Sequence, residues 1–475
     1  MKHYGDIVLT VITCKFGGSS LADKDGFLKV AKIVLSDKNR KYIVVSAPGK
    51  RYDKDIKITD GLINFTKETP FTEAREKAFS YVEERILSIA NGLGAGEFIK
   101  TCLAEMKLKF DKNPFYNDYI ISRGEYLSAK IFSYITGYKF IPPESFISVD
   151  ESGVYKNTVS GFYLPEYSVI PGFYGKDKYG RIKTLKRGGG DVTGSVVAEM
   201  TNSDLYENFT DVDGVYAISP KIVQKQNPLK FLSYDELEVL SGAGAEVFSE
   251  DAIYPLKVKN IPVVIKNTSK EYERIVSASE HKNENFKDYY TGTAVFRQNR
   301  FVKQSPKIKI AIKKGLSLIT ISAGSSCTEY SAKILKAFSD YGVKCELISV
   351  TGRKFSAVFD LNSKESASGK KIFFAKPSEF FTELYLSYLK NLDTDYVFIR
   401  ENVSLITVLP GEADNDLPDD NFINKRSGKF VKIENILKSA GAVITVSDEL
   451  SVKAVIDDSK KDSTLKSLFK TNGAI

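Results

Sequence analysis

The chain has 475 residues, 42% hydrophobic and 27% charged, which is too long for one core and has the balance of an ordinary globular protein of roughly two to four domains. Its net charge of +8 comes from interspersed acids and bases, a lysine-rich solvated surface rather than a nucleic-acid block, and the absence of a long apolar run or leader-like start sets a cytoplasmic expectation. Cys14, Cys102, Cys327 and Cys345 form no C-x-x-C pair and only His3 and His281 occur, so zinc sites, disulfide frameworks and Ser-His-Asp hydrolases are disfavoured, while phosphoryl transfer needs no histidine base.

The apolar run Ile7–Cys14 predicts a strand leading into Lys15-Phe16-Gly17-Gly18-Ser19-Ser20. Glycines at a strand-to-helix turn let backbone approach an anion, a first helical turn offers free N–H groups, and a lysine adds a point charge. The motif reads as a phosphate cradle, with a plain tight turn as the alternative. Leu21, Phe27, Val30, Ala31 and Val34 then recur at helical spacing, and Tyr42–Val45 forms a second strand ending at Ser46-Ala47-Pro48-Gly49. This unit has the length of a parallel crossover.

Further along, Ser122-Arg123-Gly124-Glu125 opens a helix with Leu127, Ile131 and Ile135 on its buried face and Gly137 as its stop. Glu125 falls in the first turn, where a carboxylate either caps the helix or binds a substrate ammonium. Lys186-Arg187-Gly188-Gly189-Gly190-Asp191 is a second glycine-rich turn before a helix, Val192–Met200. Arg187 suits a two-pronged carboxylate contact and Asp191 suits aligning a lysine or a magnesium ion, with a surface ion pair as the alternative. Asn208–Tyr216 reads as a strand end and turn whose hydroxyl, carboxylates and aromatic ring could hold a nucleoside.

The alternation from Lys15 to about Thr268 predicts an α/β domain, a mostly parallel sheet with helices on both faces. Ser269–Lys303 is polar and includes a connector, which sets the boundary near residue 300. Beyond it Leu316-Ser317-Leu318-Ile319-Thr320-Ile321 is echoed by Val403-Ser404-Leu405-Ile406-Thr407-Val408. Each copy leads to a helix (near 331–339 and 431–440), a glycine turn (Gly342, Gly441) and two strands, so the region reads as two copies of one small α+β module.

Taken in order, KFGGSS, VVSAPG, SRGE, RGGGD, FTDVDGVY, GAEVF and IPVVIKNT resemble the aspartate kinases of the amino-acid kinase family. The resemblance spans nearly the whole chain, because the duplication resembles that family's two C-terminal ACT modules. It implies an amino-acid kinase domain over 1–300 and ferredoxin-like ACT modules over 301–390 and 391–475, consecutive or interleaved. It also implies transfer of the γ-phosphoryl of ATP, with Mg2+, to the β-carboxylate of L-aspartate, giving 4-phospho-L-aspartate at the entry to lysine, threonine and methionine synthesis. Lys15 and Asp191 would act in catalysis. Lys15, Gly17, Gly18, Ser19, Thr210, Asp211, Tyr216 and Lys221 would bind ATP, and Ser46, Thr59, Glu125, Arg187 and Gly190 would hold aspartate, with no protein metal ligand assigned. Ser322, Glu346 and Thr351 fall where family members hold lysine or threonine as effector, between subunits of a homodimer or tetramer.

The chain departs from the family pattern in places. Ser219-Pro220-Lys221 stands where Asp-Pro-Arg is common, and Gly190 stands where a serine is usual. Glu246 stands where many members carry lysine, so no phosphate role is carried over to it. The attacking carboxylate is already ionised at neutral pH, which agrees with the scarcity of histidine. The rival readings are a related amino-acid kinase with another acid substrate and a non-catalytic amino-acid sensor.

Overall fold

The computed structural model describes residues 10–186, 188–223, 226–245, 248–270, 292–297, 308–323, 327–361, 377–384, 387, 390, 394–411 and 421–470. Two units divide the chain, one of Met1–Val215, Asn227–Ser241 and Glu246–Val302, the other of Tyr216–Gln226, Gly242–Ala245 and Lys303–Ile475. No described helix is long and apolar enough to cross a membrane.

In the first unit β1 (Ile12–Phe16) leads through a 3-10 turn (Gly18–Leu21) into α1 (Lys24–Leu35), and β2 (Arg40–Val45) returns parallel to β1. Asp23 caps α1 by accepting from Gly26 N at 2.9 Å, and the stripe Phe27, Val30, Ala31 and Val34 is buried. Phe27, Val30 and Val34 each contribute about 1.5–3 kcal/mol by leaving water, and the Ala31 methyl less. Helices α2 (Ile58–Lys67), α3 (Glu73–Gly92), α4 (Gly96–Lys112), α5 (Asn117–Ile121) and α6 (Arg123–Thr136) follow. Gly137, at φ 73°, stops α6 in the left-handed conformation that a Cβ would penalise.

Short strands β3 (Lys139–Phe140), β4 (Ile147–Val149), β5 (Tyr155–Thr158), β6 (Ser168–Pro171), β7 (Tyr174–Lys176) and β8 (Ile182–Thr184) precede α7 (Gly189–Met200) and β9 (Leu205–Thr210). The unit continues with β10 (Phe231–Ser233), α8 (Tyr234–Gly242), α9 (Glu250–Lys259), β11 (Val263–Asn267) and β12 (Thr293–Phe296). Eight strands form one sheet in the order β10-β12-β11-β9-β1-β2-β6-β3, parallel at every pair except β11–β12. Strands covered on both faces read as continuous apolar runs: Cys14, Phe16, Val44 and Val264 are all fully buried. Side chains of α1, α3 and α6 join Cys14, Phe16, Phe209 and Val264 in one core, and α7 lies against β1, β2 and β9. A second sheet, β5-β4-β7-β8, was not expected from the sequence, because its strands are only three or four residues long.

The second unit is built on β13 (Lys309–Ala323), α10 (Cys327–Asp340), β14 (Lys344–Thr351), β15 (Lys354–Asp360), α11 (Pro377–Leu384), β16 (Thr394–Leu409), α12 (Asn421–Ser439), β17 (Ile444–Ser447), β18 (Val452–Asp457) and α13 (Lys461–Lys470). One sheet runs β14-β15-β13-β16-β18-β17. Ser317–Ser322 of β13 sits between β15 and the first half of β16, whereas Lys309–Lys313 pairs with the second half of β16, which in turn pairs with β18. Each long strand therefore serves both α+β modules, and the modules are interleaved. The crossover is marked by register shifts between Lys313 and Leu318 and by Gly315 at φ 68°. Helices α10 and α11 cover Ile319, Ile321, Phe355 and Phe359, while α12 and α13 cover Ile310, Ile406, Val408 and Ile456.

Candidate active site

The candidate residues gather where parallel strands end. Lys15 lies near the end of β1, Ser46 follows β2, Gly172 follows β6, and Thr210 closes β9, the position at which open α/β sheets place ligands. Lys15 belongs to the strand itself, two residues before the first glycine, and a 3-10 turn rather than an α-helix begins at the second. The expected cradle on an α-helix N-terminus is thus corrected to a lysine presented by a strand. Strand alternation aims it away from Cys14 and Phe16, toward the face covered by α7.

There Lys15 Nζ meets Asp191 Oδ1 at 2.6 Å, both side chains being mostly buried. The contact is an ion pair rather than a well-directed hydrogen bond. Gly17 donates to Phe209 O at 3.1 Å, and a Cβ on it would lie 3.9 Å from both Lys15 Nζ and Ser19 Oγ. Gly18 is required for a different reason. A Cβ there would come within 2.7 Å of Ala47 O, because the Gly18 and Gly49 backbones touch through a 2.8 Å bond.

The second glycine turn approaches from α7. Gly188 adopts φ 86°, a Cβ on Gly189 would strike Leu185, and a Cβ on Gly190 would sit 3.2 Å from Ser46 Oγ and 3.8 Å from Lys15 Cε. The Gly190 backbone thereby adjoins Ser46 and Lys15. Gly124 packs its Cα side against Ala47, where a Cβ would lie 2.7 Å from that residue's Cβ and 3.2 Å from Ile58 Cγ2. This seats the first turn of α6 beside the Ser46–Ala47 turn and the start of α2, where half-buried Thr59 follows Ile58.

Glu125 is 5% exposed, and its Oε2 has no hydrogen-bond partner among the described residues. Burial pushes its carboxyl up to about 8, against the Glu125 and Ala47 backbone N–H groups and the positive charge of Arg123. Arg123 is itself buried, stacked 4.3 Å from the Tyr119 ring, 4.5 Å from Tyr126 and 5.3 Å from Tyr174. Glu125 is thus a buried carboxyl group with an unpartnered oxygen next to the Ala47 backbone.

Beside the cradle, Ser20 Oγ bonds Thr268 Oγ1 at 2.6 Å, and Thr268 N donates to Thr210 O at 2.9 Å. Thr210 Oγ1 donates to exposed Asp211 at 3.1 Å, and Asn267 Nδ2 reaches Asp213 at 2.8 Å. Tyr216 and Lys221 fall in the second unit. Lys221 is exposed. Arg187 and Glu246 lie outside the described residues, as do His3 and His281. In the C-terminal sheet Ser322 Oγ donates to Asp395 Oδ2 at 3.1 Å, Glu346 pairs with Lys313, and Thr351 is exposed at the end of β14. Glu346, expected as an ammonium ligand, thus has a partner from its own unit.

Sequence reasoning missed the charges on the opposite face of the same strands. Fully buried Glu207 on β9 contacts Arg40 Nε at 2.7 Å, Lys266 Nζ at 2.5 Å and Cys14 Sγ at 3.3 Å. Burial alone would raise the Glu207 carboxyl, but Arg40 and Lys266 outweigh it and hold it well below the usual range. Burial and Glu207 in turn push the Cys14 thiol up. Arg85 was also missed. It donates to Ala22 O at 2.9 Å and Gly49 O at 3.0 Å, tying α3 to both sides of the cradle. A lysine inside the apolar run of Pro262–Asn267 was the available signal for the buried cluster; Arg85 had none.

Residues 10–267 match the amino acid kinase family. The chain belongs to that family. Over 292 residues, 57% of this chain and 64% of the relative's length, it is 38% identical to aspartokinase 3 of Bacillus subtilis. It thus spans just under two thirds of that relative. Among solved structures it resembles the aspartate kinase of Clostridium acetobutylicum, described as an allosteric enzyme, with 31% identity and a TM-score of 0.75 over 97% of this chain and 100% of that one. Escherichia coli aspartokinase III, solved with aspartate and ADP, shares the fold at 19% identity and a TM-score of 0.74, over 96% and 98% of the two chains. Within this amino acid kinase the two glycine turns and every strand of the large sheet except β12 fall inside the matched segment.

Proposed function

We propose that the protein is an aspartate kinase, transferring the γ-phosphoryl of ATP to the β-carboxylate of L-aspartate to give 4-phospho-L-aspartate and ADP. The observation that carries the reading is Glu125, a buried carboxylate with an unpartnered oxygen, next to the turn that adjoins the Lys15–Asp191 pair. A phosphate cradle alone would serve any nucleotide enzyme; a receptor for an ammonium group beside it selects an amino-acid acceptor. The likeness to the Clostridium aspartate kinase over its full length supports the same acceptor.

In this reading Lys15 neutralises charge on the phosphoryl group in flight, and Asp191 holds its ammonium in place, since phosphoryl transfer depends on positioning and electrostatics. Gly17, Gly18 and Ser19 admit the phosphates to the backbone. Ser46, Thr59, Glu125, Arg187 and the Gly190 backbone hold aspartate, while Thr210, Asp211, Tyr216 and Lys221 serve the nucleotide. Among the described residues no group of three or more acidic, histidine or cysteine side chains converges as a metal site. Mg2+ would enter with the nucleotide substrate, where Asp191 is the acidic side chain that would hold it and its charge would offset that of the phosphates. The acceptor carboxylate is its own nucleophile, so no general base is needed.

The interleaved C-terminal modules are proposed to bind lysine or threonine near Ser322, Glu346 and Thr351 and to inhibit the kinase, in a homo-oligomer. An effector ammonium at Glu346 would have to displace Lys313. The test is ATP consumption with Mg2+ and L-aspartate, trapping the acyl phosphate with hydroxylamine. Aspartate-dependent hydroxamate that disappears in Lys15→Ala supports the reading, and its absence from the wild-type protein overturns it.

A further inference from the structure

Phe173, between β6 and β7, has φ of 77°. A residue with a Cβ adopts this left-handed region only against steric strain, and it persists only where the surroundings impose it. Phe71 and Tyr167 also have positive φ, but both are exposed and lie in connections away from the glycine turns. At Phe173 the surroundings are specific. Gly172 N donates to Val45 O at 3.0 Å, Phe173 N donates to Thr193 Oγ1 at 3.1 Å, and Leu185 N donates to Phe173 O at 2.8 Å. Thr193, fully buried on α7, donates the same hydroxyl to Gly189 O at 2.9 Å. One side chain therefore ties the strained corner to the first turn of the helix that carries Asp191.

The packing is equally close. A Cβ on Gly172 would lie 3.1 Å from Gly190 Cα, and one on Gly189 would lie 3.0 Å from Phe173 Cδ2. Beyond Gly190 come Ser46 and Lys15, as described above. A glycine at 173 would adopt the same φ without strain, yet the position holds an aromatic ring that stays only half-buried while its neighbour Tyr174 is fully buried. A ring kept at this conformational cost and only partly removed from water is poorly explained by core packing.

We propose that Phe173, held by Thr193, is a positioning residue that presses the Gly189–Gly190 backbone against Ser46 and so sets the acceptor acid relative to Lys15. The inference rests on the phosphoryl-transfer reading above. The experiment compares Phe173→Gly, Phe173→Ala, Thr193→Val and Thr193→Ser by melting temperature and by steady-state kinetics in both substrates. Phe173→Gly should melt above Phe173→Ala, because only alanine keeps the backbone strain. Both should lose about a hundredfold in kcat/KM for aspartate, as expected for misplacement of a reacting group, with KM for ATP changed less than about twofold. Thr193→Val should behave alike and Thr193→Ser, which keeps the hydroxyl, should be restored. Wild-type kinetics in Phe173→Gly, or losses in both substrates that simply follow melting temperature, would overturn the inference alone. Absence of turnover in the wild-type protein would overturn the kinase reading and the inference with it.

Discussion

Binding of the acceptor acid should depend on pH through Glu125. Its carboxyl is pushed up to about 8 by burial, so the protonated form dominates in the free enzyme at neutral pH, and only the ionised form attracts an ammonium group. With that value about one-tenth of the sites are ionised at pH 7 and about half at pH 8. Aspartate binding at pH 7 is then about tenfold weaker than to the ionised site, a penalty of about 1.4 kcal/mol. KM for aspartate should fall as pH rises from 6.5 to 8.5, and binding at pH 7 should release about 0.9 proton per aspartate. Initial rates at saturating ATP and Mg2+ test the first statement, and calorimetry in two buffers of different ionisation heat tests the second. Glu125→Gln, which cannot ionise, should raise KM about ten- to a hundredfold, the worth of a charged hydrogen bond, and flatten the pH dependence. A wild-type KM that is flat across this range, with heats independent of buffer, would refute the assignment of Glu125 to the ammonium.

Lys15→Ala and Asp191→Asn should each lower kcat by about 10²–10³, and the double variant should be little worse than Lys15→Ala, since the two act as a pair; single-turnover rates measure this. Gly18→Ala should abolish activity and lower the melting temperature, because the new Cβ would meet Ala47 O at 2.7 Å, a backbone atom that cannot step aside. Glu207→Gln should cost about 3–5 kcal/mol in denaturant unfolding, since it leaves Arg40 and Lys266 buried against a neutral group. Because the folded-state value of Glu207 is depressed, its stabilisation is present above the ordinary carboxylate range and is lost as pH falls through and below that range. The variant should therefore be less sensitive to acid than the wild type.

Much of the first unit was legible because its signals are local. Period-3.6 apolar stripes such as Phe27, Val30, Ala31 and Val34 lie on the helix they predict, and Gly137 ends α6 at a positive φ as a C-terminal glycine should. The glycines of the two turns marked where backbone approaches backbone. What they could not reveal is which atom each one avoids: Ala47 O for Gly18, Leu185 for Gly189, Ser46 for Gly190. The strained corner at Phe173 was invisible, since nothing in a Gly-Phe-Tyr string distinguishes a left-handed phenylalanine from an ordinary strand residue. The duplication after residue 300 was readable as a repeat of strand motifs, yet the 15- and 16-residue strands that each serve both modules exceed the repeated six residues. Sharing is set by pairing between distant segments, which no local pattern encodes.

The buried Arg40–Glu207–Lys266 cluster shows how such long-range pairing is fixed beneath the site. Cys14 pairs with Glu207 and Lys15 with Asn208, while Lys266 pairs with Phe209, so Glu207 and Lys15 project from opposite faces of neighbouring strands. Sliding β9 by one residue would carry every one of its side chains to the other face. Glu207 would then leave its two cations and enter the face where Asp191 meets Lys15, setting carboxylate against carboxylate. Asn208, whose Oδ1 already lacks a partner among the described residues, would replace it among Arg40 and Lys266. An apolar cluster of equal volume could stabilise the sheet as well, but it would penalise that slip far less. The ion cluster therefore opposes that slip, and the register it favours is the one in which Lys15 meets Asp191.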